Sequence, residues 1–454
     1  MSMFSFLDRD RSIAQPGYSR WLVPPAALAI HLAIGQVYAF SVFVNPLLAF
    51  SASNGSPWSH KQVGYIFSFA IAILGISAAL FGKWLETAGP RKAMFIAATC
   101  FGLGFLIAAL GIKLHSLTLI YLGYGGIGGI GMGLGYISPV STLIKWFPDR
   151  PGLSTGLAIM GFGGGAMIGA PLATNLMAHF KAHGLEPLSS TFLWMGILYF
   201  AFMMFGVFMI RVPAPDWKPA GYVPSTHQSA MISSHNVTVN SAMATPQFWL
   251  LWLVLALNVT AGIGILESAA PMLQNLFPNR VSVAAAGGFV GLLSIFNMGG
   301  RFVWASLSDF IGRKGTYMVF FALGAVLYFF LPSIGALPLF VLVAGVLISM
   351  YGGGFATIPA YIKDLFGGVN VSAIHGRVLT AWSTAGIVGP LIINAYLDHY
   401  KATNRPLAQA YPQILHIMAA LLVVGFIANF LVHPVSERFW MKEGDLAPAD
   451  HGGH

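Results

Sequence analysis

Charge is scarce in this sequence. Only 8% of its 454 residues are Asp, Glu, Lys or Arg, against about 25% in a soluble domain. So few charged groups cannot clothe a water-facing surface, and a chain that is 56% hydrophobic is expected to turn most of its surface to lipid. Cysteine is nearly absent. The lone Cys100 has no internal partner, which excludes a disulfide framework, and its apolar surroundings make it a small packing residue. Acidic residues number 14 against 23 basic ones, for a formal charge of +9. The excess does not point to nucleic acid, because the basic residues occupy short segments between apolar runs. Metal-ligand clusters and nucleophile–base pairs are missing too. No metal, no cofactor and no enzymatic activity are therefore expected.

What the sequence has is long apolar runs. A membrane helix needs about 20 apolar residues, and twelve such stretches occur, near 21–50, 62–85, 93–112, 117–146, 152–180, 190–211, 246–275, 284–308, 315–335, 338–366, 374–398 and 411–434. The fold class expected is an all-α polytopic membrane protein of twelve transmembrane helices. The first twenty residues are polar (Asp8, Arg9, Asp10 and Arg11 among them) and lack the apolar core of a signal peptide, so the first span is expected to be retained.

Lys and Arg set the orientation. With a cytoplasmic N-terminus, the inside segments hold 16 of the 23 basic residues, from Arg9 to Lys442, the outside segments hold six, and Arg301 lies within a span. The positive-inside bias therefore places both termini in the cytoplasm, in a bacterial inner membrane. Residues 212–245 are the one long polar stretch between spans, carrying Pro213, Pro215, Pro219 and Pro224. The expected organisation is a cytoplasmic segment 1–20, a six-helix half 21–211, a cytoplasmic linker 212–245, a second six-helix half 246–435 and a cytoplasmic tail 436–454.

An internal repeat supports the division. After the second span comes Gly82-Lys-Trp-Leu-Glu86-Thr-Ala-Gly89-Pro-Arg91-Lys92. After the eighth comes Ala305-Ser-Leu-Ser-Asp309-Phe-Ile-Gly312-Arg313-Lys314. Each copy sets an acid three residues before a glycine and a basic pair just after it. The acid caps or pairs near a helix end, the glycine turns the chain tightly, and the basic residues anchor the loop. Gly82, Glu86, Gly89, Arg91, Asp309, Gly312 and Arg313 are thus candidates for a conformational loop. A second glycine run, Gly123 to Gly135, together with Gly161-Phe-Gly-Gly-Gly165, suits close helix packing rather than nucleotide binding.

The repeated loops resemble the signature loop of the major facilitator superfamily, with Glu86 where that family usually has Asp and Ala305 where it usually has Gly. The chain further resembles the oxalate:formate antiporter and monocarboxylate transporter group. The likeness rests on Lys145-Trp-Phe-Pro-Asp149-Arg150-Pro-Gly152-Leu between spans 4 and 5, Gly35-Gln-Val-Tyr38-Ala-Phe-Ser in span 1, Thr245-Pro-Gln-Phe-Trp249 opening span 7 and Asn297-Met-Gly-Gly-Arg301 in span 8. It runs from about residue 20 to 435. It implies the two-half facilitator fold and secondary active transport of a small anion by alternating access between the halves.

Within the spans, Arg301 carries the most chemistry. A charge in the membrane interior costs about 2.5–3.5 kcal/mol on insertion scales. Ser294, Asn297, Arg301 and Ser308 fall on one helix face, so the arginine should look into a wet cavity, where its guanidinium offers a carboxylate a two-pronged grip. The alternative is snorkelling toward the inner end, seven residues or about 10 Å away. The resemblance matches Arg301 to the family's substrate-binding arginine. It also implies that Tyr38, Tyr136, Tyr351 and Phe162 line the cavity. Oxalate transporters carry a second cation, a lysine, where this sequence has Trp382. One cation balances one carboxylate, so the resemblance implies a small monocarboxylate such as pyruvate, lactate or formate. Animal monocarboxylate transporters have an aspartate, tied to proton coupling, where Asn297 stands here, so that proton route is in doubt.

Other groups could serve. His31 lies mid-way along span 1 and Glu267 lies in span 7, and both are candidates for proton coupling. Lys363, Asp364, His375 and Arg377 are expected to make gating or anchoring contacts at the inner ends of spans 10 and 11. The expected partners are a small carboxylate, the lipid bilayer and protons, with no nucleic acid, and the expected functional unit is a monomer. Two alternatives stay open: oxalate:formate-type dicarboxylate antiport, and carriage of an uncharged solute.

Overall fold

The computed structural model describes residues 5–221 and 231–442, apart from the side chains of residues 60, 264, 267, 283 and 284. Among the described residues, twelve helices are long and apolar enough to cross a membrane: Arg20–Ala39, Lys61–Ala88, Pro90–Lys113, Leu117–Trp146, Pro151–Ala182, Pro187–Met209, Pro246–Ile263, Ala285–Ile311, Arg313–Ser333, Leu337–Phe366, Val371–Ala402 and Leu407–Phe430. They are called spans 1 to 12. Spans 1–6 and 7–12 form the two halves. Among the described residues there is no strand, only two isolated bridges, Ile13 with Val212 and Val237 with Trp440. The described residues before span 1, those after span 12, and residues 212–221 and 231–245 of the connection lie at one end of the bundle, called here the basic end.

Span 1 departs from the uniform helix expected over 21–50. It is helical over Val23–Ile34, tightens to a 3-10 turn over Gly35–Ala39, and resumes over Ser41–Ser53 around Pro46. Gly35 lies so close to the backbones of Phe162 and Gly165 in span 5 that neither Gly35 nor Gly165 has room for a Cβ. The tighter turn changes the angular step between side chains. It turns Gln36 into its own half, where its Oε1 accepts from the Tyr124 hydroxyl at 3.2 Å. Tyr38 faces the other half instead.

The glycine runs do what their composition suggests. Gly131 sits against the backbone of Ala97 and Phe101, and Gly104 sits against Gly123 and Gly128 where span 4 opens into a π-helical turn over Tyr121–Ile127. In span 5, Gly161 touches the His31 Cβ, while Gly163 and Gly164 lie against Met298 and Arg301 of span 8. One helix thereby packs tightly on its own half through span 1 and on the opposite half through span 8.

The two repeated loops close the basic end by crossing over. Glu86, in the last turn of span 2, accepts from the main-chain N–H of Ser372 at 3.1 Å and from Lys145 Nζ at 3.2 Å. Asp309, in the last turn of span 8, accepts from the N–H groups of Gly152 and Leu153 at 2.8 and 2.9 Å and from Arg313 at 2.6 Å. Ser372 and Gly152 open the fifth helix of the second and first halves. Neither helix has a side-chain cap of its own, at Asn370 or at Arg150. Each half's acid therefore supplies the capping acceptor for the other half, at the positive end of the helix dipole. Gly89 and Gly312 turn these loops with φ of 82° and 78°, in the left-handed region where a Cβ is disfavoured. The basic residues then tie the loops down: Arg91 donates to the carbonyls of Phe6, Arg11 and Ile210, and Lys314 donates to Phe430 and Val432.

Further contacts extend this seal. Lys363 Nζ reaches the Pro148 carbonyl at 3.3 Å, and Arg313 also donates to Asp364 at 3.1 Å. Closer to the middle, Ser383 donates to the Ile71 carbonyl at 3.1 Å. Arg20 grips Asp149 with both nitrogens, at 2.6 and 3.1 Å. Burial pushes the Asp149 carboxyl up, but the hydrogen bonds and charge of Arg20 outweigh it and hold the group below its ordinary value. This bridge therefore contributes above the ordinary carboxylate pKa and is lost as pH falls through the lowered one. Beyond the middle, Met167, Ile168, Ile387 and Leu391 on spans 5 and 11 are exposed. The halves are thus joined from the basic end to the centre.

Removing one crossed acid should loosen this end. Asp309→Asn is expected to speed maleimide labelling of a cysteine placed at the buried Thr155, in a Cys100→Ala background, by about tenfold, the ratio for roughly 1.4 kcal/mol of lost closure. An unchanged labelling rate would mean that the clamp does not hold the closed state.

Candidate functional site

At the centre, where the halves meet, stands Arg301 of span 8. Its side chain is 0% exposed. Nε donates to Asn297 Oδ1 at 3.0 Å, one turn earlier, whereas Nη1 and Nη2 have no hydrogen-bond partner. The guanidinium lies 4.9 Å from the ring centre of Phe355 and 5.6 Å from that of Phe162. Aromatic faces attract a cation without consuming its N–H donors. Asn297 holds the near edge, two rings hold the charge, and the outer fork of four N–H bonds has only the nearby Tyr38 and Tyr136 hydroxyls to turn to, neither in full hydrogen-bond geometry. Such donors, buried without acceptors, are costly.

The rings form one connected set. Phe162, from span 5, lies 5.1 Å from Trp382 of span 11, 5.2 Å from Tyr38 and 5.4 Å from Tyr136 of span 4. Trp382 in turn lies 4.7 Å from Phe355 and 5.5 Å from Tyr136. Tyr38 and Tyr351 join hydroxyls at 2.9 Å across the two halves. The Tyr38 and Tyr136 hydroxyls both lie near enough to Arg301 to interact with it. The Tyr136 hydroxyl and the Trp382 indole N–H are buried without partners. A charged fork, a phenol and an indole N–H thus converge between aromatic walls, a donor-rich set suited to an anion.

The seven expected site residues Arg301, Asn297, Tyr38, Tyr136, Tyr351, Phe162 and Trp382 come together here. The polar face expected of span 8 does not stay whole. Ser308 lies at the basic end, bonded by Arg313, and Ser294 returns its hydroxyl to Val290. Snorkelling does not occur, since Arg301 stays at the level of Tyr38 and Trp382. Two residues escaped the sequence reading. Phe355 sits one turn beyond Tyr351 on span 10, a spacing that could have drawn attention to it. His375 was expected at the inner end of span 11 with a gating role. It lies 5.9 Å from the Tyr136 ring, 1% exposed, one turn inside the Ser372 clamp. His31 meets the Tyr136 ring edge-on at 5.3 Å. Glu267 belongs to a helix of the second half, and its side chain lies outside the described residues. Glu86, Gly82, Gly89, Arg91, Asp309, Gly312 and Arg313 are gathered at the basic end, away from this cluster. Among the described residues, no group of three or more His, Cys, Asp or Glu could hold a metal ion.

The model of the Major Facilitator Superfamily matches residues 26–390. The chain belongs to the major facilitator superfamily. Within it, the chain is 28% identical over 375 residues to an uncharacterized transporter of that type, YhjX, from Escherichia coli K12, covering 81% of this chain and 86% of the relative. It is 24% identical to the oxalate:formate antiporter of Oxalobacter formigenes, covering 82% of this chain and 83% of that one. It is also 24% identical to apicoplast pyruvate carrier 1 of Toxoplasma gondii, covering 69% and 66%. The superfamily fold itself recurs in the solved fucose:proton symporter of Escherichia coli, with a TM-score of 0.62 at 14% identity over 91% of this chain and 99% of that one.

The glycines around Arg301 give a test of its placement. A Cβ on Gly163 would stand 3.0 Å from Arg301 Nε and 3.1 Å from the Met298 main-chain nitrogen, while one on Gly299, on the same helix as Arg301, would meet nothing within 4 Å. Gly163→Ala is expected to cut the transport rate by about 100-fold, the scale set by a misplacement of about 1 Å. Gly299→Ala should leave the rate within a factor of two or so. Initial rates of substrate uptake in proteoliposomes check both.

Proposed function

We propose that this protein carries a small monocarboxylate of the pyruvate, lactate or formate class across a membrane by alternating access. The observation that carries the reading is the outer fork of Arg301, buried with both terminal nitrogens unpartnered. A carboxylate supplies two acceptors in the plane of that fork and the negative charge that it lacks. The match to a pyruvate carrier and to an oxalate:formate antiporter supports the substrate class.

Size and charge favour a single carboxylate. Trp382 and Tyr136 offer neutral donors, which suit the keto or hydroxyl oxygen of a short 2-oxo or 2-hydroxy acid. They offer no second cation, so a second carboxylate would lie among Trp382, Phe162 and Phe355 with no counter-charge, an expensive arrangement. The apolar walls accept a methyl group readily. Asn297 orients the guanidinium, and Tyr38 with Tyr351 closes the site on its far side. Once loaded, the site would release substrate to the opposite face when Glu86 and Asp309 let go of the crossed helices. On this reading the basic end is cytoplasmic, as the Lys and Arg distribution argues, and the site belongs to one monomer.

Uptake of labelled pyruvate, lactate, formate and oxalate into proteoliposomes tests this. Wild type should move the monocarboxylates in preference to oxalate. Arg301→Ala should raise the half-saturating concentration about 10- to 100-fold, the equivalent of about 1.5–3 kcal/mol for a charged hydrogen-bonded pair. Arg301→Lys, which keeps the charge and loses the fork, should fall between. A preference for oxalate would overturn the argument from Trp382, and transport that ignores the arginine would overturn the anchor.

A further inference from the structure

Toward the basic end from the aromatic box lies a second buried cluster, which the anion site does not use. His31 stands seven residues before Tyr38 on span 1, and His375 stands seven residues before Trp382 on span 11. Each histidine thus lies nearer the basic end than a wall residue of the anion site, one in each half. Their rings flank Tyr136, at 5.3 and 5.9 Å, and the two histidines interact electrostatically. Both are buried, at 0% and 1% exposure, and the Nε2 atom of each lacks a hydrogen-bond partner.

The tautomer of His31 follows from its neighbour. Nδ1 lies 3.2 Å from the Ala27 carbonyl. A carbonyl only accepts, so Nδ1 carries the hydrogen and Nε2 of the neutral ring is a bare lone pair. The Tyr136 main-chain carbonyl also lies within interaction range of the ring. An imidazolium would have carbonyls at hand for both nitrogens, whereas the neutral ring leaves one nitrogen unsatisfied. The His31 Nε2 is therefore an open acceptor, buried beside Tyr136.

The neighbouring charges decide when the proton is welcome. Arg301 repels a second cation at His31. A carboxylate seated on Arg301 cancels that repulsion, so anion and proton favour each other's binding, and the coupling is reciprocal. Among the described residues, Glu86 of span 2 brings a charge within one turn of His375, and it is engaged there by the Ser372 N–H and by Lys145. Span 5 presents Gly161 to His31, and span 2 presents Ala78 to Gly376 beside His375. Lys363 and Asp364 of span 10 are engaged at the basic end by Pro148 and Arg313.

The geometry points to His31 and His375 as a shared binding site for one co-transported proton, linked through Tyr136 to the carboxylate on Arg301. This rests on the carboxylate reading above. The two histidines interact electrostatically, so a proton on one disfavours a second on the other and the pair holds one. The proton enters at the His31 Nε2 lone pair, no other bond forms or breaks, and it leaves when the basic end opens. His375 is then the first of the two to meet water, since it lies one turn inside the Glu86–Ser372 clamp. One proton with one monocarboxylate moves no net charge.

Proteoliposomes loaded for pyruvate uptake separate the possibilities. With a pH gradient of about one unit, wild type should accumulate pyruvate about tenfold, the limit for one proton per anion, and an imposed membrane potential should add nothing. His31→Gln and His375→Gln, one in each half, should each reduce accumulation to an inside-to-outside ratio of one. Both should keep pyruvate–pyruvate counterflow, which needs no net proton movement, at half the wild-type rate or more. Wild-type protein in detergent should also take up protons when pyruvate is added, seen with a pH dye in weakly buffered solution, and the two variants should not. Accumulation retained in the variants, accumulation driven by potential, or wild-type counterflow without proton-driven accumulation would each overturn the proton site while leaving the carboxylate reading intact. Counterflow lost in both variants while they elute as monodisperse protein would make the histidines structural and overturn it as well. Absence of counterflow in wild type for every acid would overturn the carboxylate reading and the proton site together.

Discussion

A permanent cation held inside an apolar bundle with its outer donors unmet is the constraint around which this structure is arranged. A guanidinium cannot discard its charge, so the protein compensates in other ways. It gives one nitrogen to Asn297 and lays the charge over Phe162 and Phe355. Bringing those rings close requires spans 5 and 8 to pack nearly backbone to backbone, which is why Gly156 and Gly163 face the arginine helix. Bringing Tyr38 across from span 1 requires the tight turn at Gly35–Ala39, and that in turn requires Gly165 behind it. A few of the glycines that first looked like generic membrane packing, Gly156, Gly163 and Gly352 among them, stand where Arg301 needs neighbours.

The closed basic end and the central site are joined through the same helices. Span 5 carries Gly152 at the clamp and Phe162 at the site. Span 11 carries Ser372 at the clamp, then His375, then Trp382 at the site. Each acid therefore holds a span whose middle forms a wall of the anion pocket. Releasing either clamp frees a wall, and filling the pocket changes the charge felt nearer the basic end. On the function proposed above, binding and opening would be linked through these two helices, of which span 11 is interrupted at Leu379 between clamp and site.

Much of this was legible in the sequence. The scarcity of charge and the length of the apolar runs led to twelve spans, and the acid-glycine-basic repeat led to two halves and to the loops that meet at the basic end. Arg301 stood out because its cost in a membrane is too large to be incidental. The rings around it were found by resemblance rather than by spacing, since an aromatic in a membrane helix is ordinarily packing. What the sequence could not show was which surfaces face which across the halves. That Glu86 and Asp309 would cap helices of the opposite half depends on the register between spans 2 and 11 and between spans 5 and 8, and no local pattern encodes it. That the His375 ring would lie beside Tyr136 was hidden for the same reason. The break in span 1 was hidden because Gly35 to Ala39 carry no proline and interrupt the apolar run with no charge.

The crossed caps have a consequence for inheritance. On one side of each clamp stands a carboxylate, which a single base change can remove. On the other stand peptide N–H groups, which every residue except proline presents alike. Ser372 and Leu153 are therefore free to drift as far as the clamp is concerned, and the burden of keeping the gate falls on two acids. The glutamate and the aspartate differ in length by one methylene, yet both reach their target, because a helix N-terminus is a broad acceptor-seeking field rather than a fitted socket. Duplication of an ancestral half would have delivered such a latch complete, since each copy brought both an acid and a bare helix end for the other to hold.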